Sequence, residues 1–166
     1  MKAAAILAAG GQGKRMATLP VKLANVPKQL LDLGGMTILE RTLRPFVACS
    51  ALSQMVIVAA DSLIEHIKDV VHRSFTNMPP CSVVKGGAER QDSVFNGLLA
   101  LDDDIDIVAI HDAVRPFITA GLIRECLHGA QKYGAVSVMR PLKETVKIVN
   151  DGVVVETPDR SKLWIT

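Results

Sequence analysis

The tightest constraint in this sequence is an alternation of short, uninterrupted apolar runs with longer stretches of helical character. Ala3 to Leu7, Met55 to Ala60, Ser82 to Val84, Ile105 to Ile110 and Ala135 to Met139 read as strands buried on both faces, because they are apolar throughout and bounded by loops. Between them, Thr37-Ile38-Leu39-Glu40 and Ser62-Leu63-Ile64-Glu65 each match the capping box, in which a hydroxyl and a carboxylate satisfy the free amides of a helix start. Further helices are expected from Arg90 to Ala100 and from Ala120 to Lys132. The alternation predicts an α/β fold, a Rossmann-like and mostly parallel sheet with helices on both faces.

One segment departs from the pattern. Thr145 to Val149 and Val153 to Thr157 are β-prone runs around Asn150-Asp151-Gly152, residues that tolerate the positive φ of a tight turn. They predict a β-hairpin arm, within about residues 142 to 160. Pattern alone leaves two readings open: an edge hairpin of the main sheet, or a protruding arm that pairs with another subunit.

Composition narrows the classes. The length of 166 residues suits one domain spanning 1–166, and 49% hydrophobic against 22% charged residues fits a globular chain. A formal charge of +2 without a run of like charges argues against a nucleic-acid partner. No apolar stretch approaches the roughly 20 residues that span a bilayer, and the start lacks a signal-peptide layout, so no membrane association and a cytoplasmic location are expected. Cys49, Cys81 and Cys126 contain no Cys-x-x-Cys pair, which predicts reduced, buried thiols. Of the histidines, His111 alone sits in a suggestive place, and fixing its loop by a side-chain hydrogen bond is the expected role.

Four segments carry chemistry. Directly after the first strand, Leu7-Ala8-Ala9-Gly10-Gly11-Gln12-Gly13-Lys14-Arg15-Met16 lets the backbone approach a ligand and aim amides at phosphate oxygens, with two cations following at once. A dinucleotide fingerprint fails because Met16 replaces the third glycine, and the kinase-type phosphate loop fails at Ala8 and Arg15. In Val26-Pro27-Lys28-Gln29 the proline stiffens the approach and would aim Lys28 at the first loop. In Gly86-Gly87-Ala88-Glu89-Arg90-Gln91-Asp92-Ser93 a glycine turn enters a helix, where backbone groups could read a base while Ser93 supplies a hydroxyl. Finally, His111-Asp112-Ala113-Val114-Arg115-Pro116 ends an apolar strand, and ligands of open parallel sheets gather at strand carboxyl ends, where Asp112 can meet a metal or a hydroxyl.

These motifs, taken in order, resemble the 2-C-methyl-D-erythritol 4-phosphate cytidylyltransferases of the non-mevalonate isoprenoid pathway. The likeness spans the whole chain and continues through Pro141 to Lys147 and Arg160 to Trp164. The ribitol-5-phosphate cytidylyltransferases share the glycine loop, Pro-Lys-Gln and an Asp-x-Val-Arg-Pro-Phe segment, and are the alternative. Thr145-x-Lys147 and Leu163-Trp164 look more like the methylerythritol enzyme.

The resemblance implies transfer of CMP from CTP to 2-C-methyl-D-erythritol 4-phosphate, with Mg²⁺ as cofactor. It implies that Ala8, Ala9, Gly10, Gly11 and Gly13 wrap the CTP phosphates, that Arg15 and Lys28 are the catalytic cations, and that Gly87, Ala88 and Ser93 recognise cytosine. Asp112, Ala113 and Arg115 would line the sugar-phosphate pocket, with Asp112 also the candidate metal ligand. Thr145 and Arg160 resemble residues that an arm delivers to the partner's site, which implies a homodimer. Two departures from the family pattern stand out. Gly11 and Gln12 both intervene before Gly13, where the family has one residue. The family also continues beyond the Leu-Trp segment, which implies a chain incomplete at its C-terminus and leaves an inactive CTP-binding fragment as a further alternative.

Overall fold

The computed structural model describes residues 1–11 and 26–166. Four parallel strands form the main sheet: β1 (Ala3–Ala9), β2 (Leu52–Ala59), β3 (Cys81–Lys85) and β4 (Ile107–Asp112), in the order β3-β2-β1-β4. The order reverses beside β1, so the carboxyl ends of β1 and β4 flank a topological switch point, where α/β sheets open a crevice for ligands. The register aligns Asp112 with Ala8, Ala9 with Ala59, and Ala59 with Lys85. The strand ends thus form one row.

The helices cover the two faces unequally. Helices α1 (Ile38–Val47), α2 (Ile64–Ser74) and α4 (Ala120–Tyr133) bury Leu39, Leu43, Phe46, Ile67, Val71, Ile123 and Leu127 against Ala3, Ala5, Leu7, Met55 and Ile57. The opposite face presents Ile6, Val56 and Val58, and carries α3 (Arg90–Leu99). Helix α3 comes close because Gly97 has no side chain: a Cβ there would lie 2.8 Å from Ile6 Cγ2 and 3.0 Å from Val58 Cγ2. Farther out on this face, by strand alternation, Ile110 is 44% exposed.

Local chemistry explains the element starts. At α1 the expected capping box forms: Thr37 Oγ1 accepts from the Glu40 amide at 3.1 Å, and the Glu40 carboxylate accepts from the Thr37 amide at 2.6 Å. At α2 it does not. A 3-10 turn over Asp61–Leu63 precedes the helix, so Ser62 lies inside that turn and Leu63 takes the cap position without a side-chain bond. Helix α4 starts on Thr119, whose hydroxyl accepts from the Leu122 amide, and stops at Gly134 with φ of 85°.

The expected strand Ala135 to Met139 is also corrected. The segment is exposed and has no ladder partner among the described residues. A β-prone run needs a neighbour for its amides and carbonyls, and the chain leaves α4 without pairing with β4. It then enters a two-residue strand, β5 (Arg140–Pro141), antiparallel to β8 (Trp164–Ile165). The hairpin β6 (Ile148–Asn150) and β7 (Val153–Glu156) turns on Asp151 and Gly152, with φ of 47° and 78°. Two successive positive φ values are the signature of a type I′ turn. The hairpin is a sheet of its own and not an edge of the main one, which removes the first of the two readings left open by the pattern.

The cysteines are free thiols, but only Cys49 is fully buried; Cys81 and Cys126 are partly exposed. Burial still pushes the Cys81 thiol up to about 11, so it is protonated at neutral pH. Among the described residues no helix is long and apolar enough to cross a membrane.

Candidate active site

The row of strand carboxyl ends brings most of the sequence-identified segments together. At the end of β1, Ala9 and Gly10 meet two of them. Gln29 is 2% exposed, and its side-chain amide donates to the Ala9 carbonyl at 2.9 Å. Lys28 and Gln29 open a 3-10 turn behind Pro27, so this buried bond tethers the Lys28 backbone to the exit of β1. Sequence alone gives Gln29 no role. Its polar side chain, at the end of a motif assigned to charge, is the one signal that could have found it.

Beside Gly10 lies Ser93, 7% exposed, whose Oγ would be 3.7 Å from a Cβ at Gly10. That hydroxyl accepts from the Gly87 amide at 3.1 Å and so pins the glycine turn to the first turn of α3. Gly87 itself has no room for a side chain, since a Cβ would fall 2.2 Å from Asp92 Cβ. Asp92 in turn accepts from the Glu89 amide at 3.0 Å, closing a capping box with Glu89 at the N-cap. These two bonds hold the turn beside the β1 exit, with Ala88 exposed between them.

At β4 the strand runs two residues farther than expected, because His111 and Asp112 pair in register with Leu7 and Ala8. The ladder continues into the loop: the Ala113 amide donates to the Ala8 carbonyl at 3.0 Å, and Ala113 is buried. His111 Nε2–H donates to the Arg115 carbonyl at 3.1 Å, and its ring packs on Phe46 at 5.3 Å between centroids. This matches the loop-fixing role expected of it. Burial is the main force holding its imidazole below the ordinary value, against the Arg115 carbonyl and the Asp112 charge, which both favour the proton.

Asp112 is the centre of charge at this edge. Arg90 donates through Nε and Nη2 to Oδ1, at 3.2 and 3.1 Å, and Arg115 Nε lies 3.0 Å from Oδ2. Among the described residues no three His, Cys, Asp or Glu side chains gather where a metal could sit. Magnesium ions brought in on phosphates keep their waters and take one or two protein carboxylates, so Asp112 fits one only where the ion takes the place of a guanidinium on its oxygens.

The remaining candidates fall elsewhere. Gly11 is exposed and its Cβ position is open, while Gly13 and Arg15 lie outside the described residues. Thr145 is exposed ahead of β6, and Arg160 follows β7, donating to the Lys143 carbonyl at 3.0 Å. No hydrogen bond or ion pair among the described residues brings either to the sheet edge.

With this geometry in view, comparison with known proteins is specific. The family described as "IspD: 2-C-methyl-D-erythritol 4-phosphate cytidylyltransferase" matches residues 3–166. The curated enzyme of that name from Pelotomaculum thermopropionicum is 39% identical over 165 residues, which cover 99% of this chain and 67% of the relative. Its counterpart from Geobacter metallireducens is 40% identical over 166 residues, covering 97% and 68%. The crystal structure of 4-diphosphocytidyl-2C-methyl-D-erythritol synthase from Anaerococcus prevotii is similar with a TM-score of 0.82 at 28% identity, over 99% of this chain and 67% of that one. The chain thus spans about two thirds of the length of these relatives.

Proposed function

We propose, from the fact that this chain belongs to the 2-C-methyl-D-erythritol 4-phosphate cytidylyltransferase family of nucleotidyltransferases, that its sheet edge joins CMP from CTP to 2-C-methyl-D-erythritol 4-phosphate and releases pyrophosphate. This is a step in making isoprenoid precursors, with the cytoplasm as its compartment. The observation that carries the assignment is the meeting of three motifs around one strand exit. Ser93 lies beside Gly10, the Gln29 amide holds Ala9, and the Ala113 amide holds Ala8.

In this reading a phosphate oxygen of the acceptor attacks the α-phosphorus of CTP in line. A new phosphorus–oxygen bond forms, the bond to the bridging oxygen breaks, and pyrophosphate carries away the electron pair. The attacking group is already an anion, so no protein nucleophile is needed. The protein's work is to hold two repelling anions in line and to offset their charge.

Ala8, Ala9, Gly10, Gly11 and Gly13 are assigned to the phosphates, and Arg15 and Lys28 to the charge at the α-phosphorus. Gly87, Ala88 and Ser93 are assigned to cytosine; the bonds within their turn, which occupy the Gly87 and Glu89 amides, support this by holding the backbone groups beside them in place. Asp112, Ala113 and Arg115 are assigned to the acceptor. Mg²⁺, when bound with CTP, adds positive charge across the phosphates, and Asp112 is the residue that would hold it.

A homodimer through the hairpin belongs to the same reading, with Thr145 and Arg160 reaching a partner's site. The exposed Ile148, Val149, Val153, Val154 and Val155 support it, because β-branched residues on a lone hairpin gain burial only from another surface.

The test is pyrophosphate release from CTP and Mg²⁺, run in parallel with methylerythritol phosphate and ribitol 5-phosphate. Release with the first acceptor alone is the expected result. Release with ribitol 5-phosphate alone would move the chain to the alternative acceptor, and CTP binding without release would reduce it to a nucleotide-binding module.

A further inference from the structure

We propose that Arg90 is an additional phosphate-binding residue of this site, held in waiting by Asp112 and handed to the nucleotide polyphosphate when it arrives. The inference rests on the nucleotide-binding reading above and adds a residue to it.

Arg90 is the first residue of α3, immediately behind the turn assigned to the base. Its guanidinium reaches from there to the last residue of β4, where Nε and Nη2 both converge on Oδ1 of Asp112. The first turn of α3 and the end of β4 are the two elements that bracket the exit of β1, through Ser93 beside Gly10 and Ala113 bonded to Ala8. The Arg90–Asp112 contact therefore spans the exit from which the phosphate loop departs.

Folding gives little reason for this contact. The Arg90 and Arg115 side chains are 62% and 58% exposed and that of Asp112 is 26% exposed, and ion pairs this wet contribute little to stability. Ligand chemistry gives a reason. Two guanidiniums against one carboxylate leave the cluster with a net positive charge. Arg90 spends two donors on a single oxygen, although its fork is shaped to engage two oxygens at once. A phosphate supplies two such oxygens and more charge than a carboxylate already shared with Arg115. Transfer of Arg90 to phosphate would also leave Oδ1 of Asp112 open on the acceptor side. The carboxylate acts as a placeholder that keeps the guanidinium aimed at the β1 exit.

The test compares wild type, Arg90→Lys and Arg90→Ala in NMR titrations with CTP and with cytidine, a method that reads weak and tight ligands alike. Unfolding temperatures establish that each variant is folded. Arg90→Ala is expected to weaken CTP about tenfold or more, the scale of a lost charge-assisted bond, and to leave cytidine within about twofold. Arg90→Lys should fall between, and the salt dependence of CTP binding should flatten in Arg90→Ala. Equal loss for CTP and cytidine would overturn the inference, since Arg90 would then act only by shaping the base-reading turn. Unchanged CTP binding would overturn it as well. If the wild-type chain binds neither ligand, the nucleotide reading itself fails and takes this inference with it.

Discussion

Within this chain the two faces of the main sheet are covered differently. Under α1, α2 and α4 the face is sealed by large side chains, with Phe46, Leu43 and Leu127 at or near zero exposure. The opposite face buries Ile6, Val56 and Val58 beneath α3, while Phe95 on that helix is 59% exposed and Ile110 of β4 is 44% exposed. The charged cluster belongs to the thin side: Asp112 shares its strand face with Ile110, and Arg90 opens the helix that lies there. Within these residues the densely packed face holds the strands in register, and the charged cluster lies on the other face. Packing and charge are thus divided between the two sides of this segment.

That division can be broken by substitution. Phe46→Ala, on the sealed face, is expected to cost about 3–5 kcal/mol by denaturant unfolding, the range for truncating a buried aromatic residue. Gly97→Val, on the other face, is expected to cost about 1–3 kcal/mol, because the new Cβ itself meets Ile6 and Val58 while the exposed Phe95 and Leu99 leave α3 room to shift. A larger loss at Gly97 than at Phe46 would mean that the thin face carries the scaffold, contrary to this account.

A smaller effect sharpens the picture at the junction between them. Burial holds the His111 imidazole below its ordinary value of 6.5, so the unfolded chain takes up this proton more readily than the folded one. The stability involved is present above the unfolded value and is lost as pH falls through the folded value. Unfolding free energies at about pH 7.5 and pH 5.5 should therefore differ more in wild type than in His111→Gln, whose amide does not titrate. Glu40, also held below its ordinary value, has burial working to raise it and is carried down by hydrogen bonds from Ser74 and Thr37. It titrates below that window and leaves the comparison clean. An equal pH dependence in the two proteins would show that His111 does not report on this packing.

The sequence made the body of the fold legible because apolar runs such as Ala3 to Leu7 and Met55 to Ala59 are buried by neighbours within the chain. Ala135 to Met139 has the same local character, yet it pairs with nothing among the described residues, since pattern reports a segment's preference and not the presence of a partner. Ser62 failed as a cap for a related reason: hydroxyl and carboxylate spacing cannot reveal a preceding 3-10 turn. At the candidate site, Ser93 stands out in the sequence by the glycine turn that enters a helix, and Asp112 by its place at a strand end. Gln29 and Arg90 do not stand out, because their contacts to Ala9 and Asp112 lie 20 and 22 residues away in the chain.

The central claim is that charge gathered at the exit of β1 drives transfer to the acceptor, and Lys28→Ala tests it most directly. Pyrophosphate release with CTP, Mg²⁺ and methylerythritol phosphate should fall on the order of 100-fold or more, with the unfolding temperature unchanged. Turnover close to wild type in a folded Lys28→Ala protein would contradict the account.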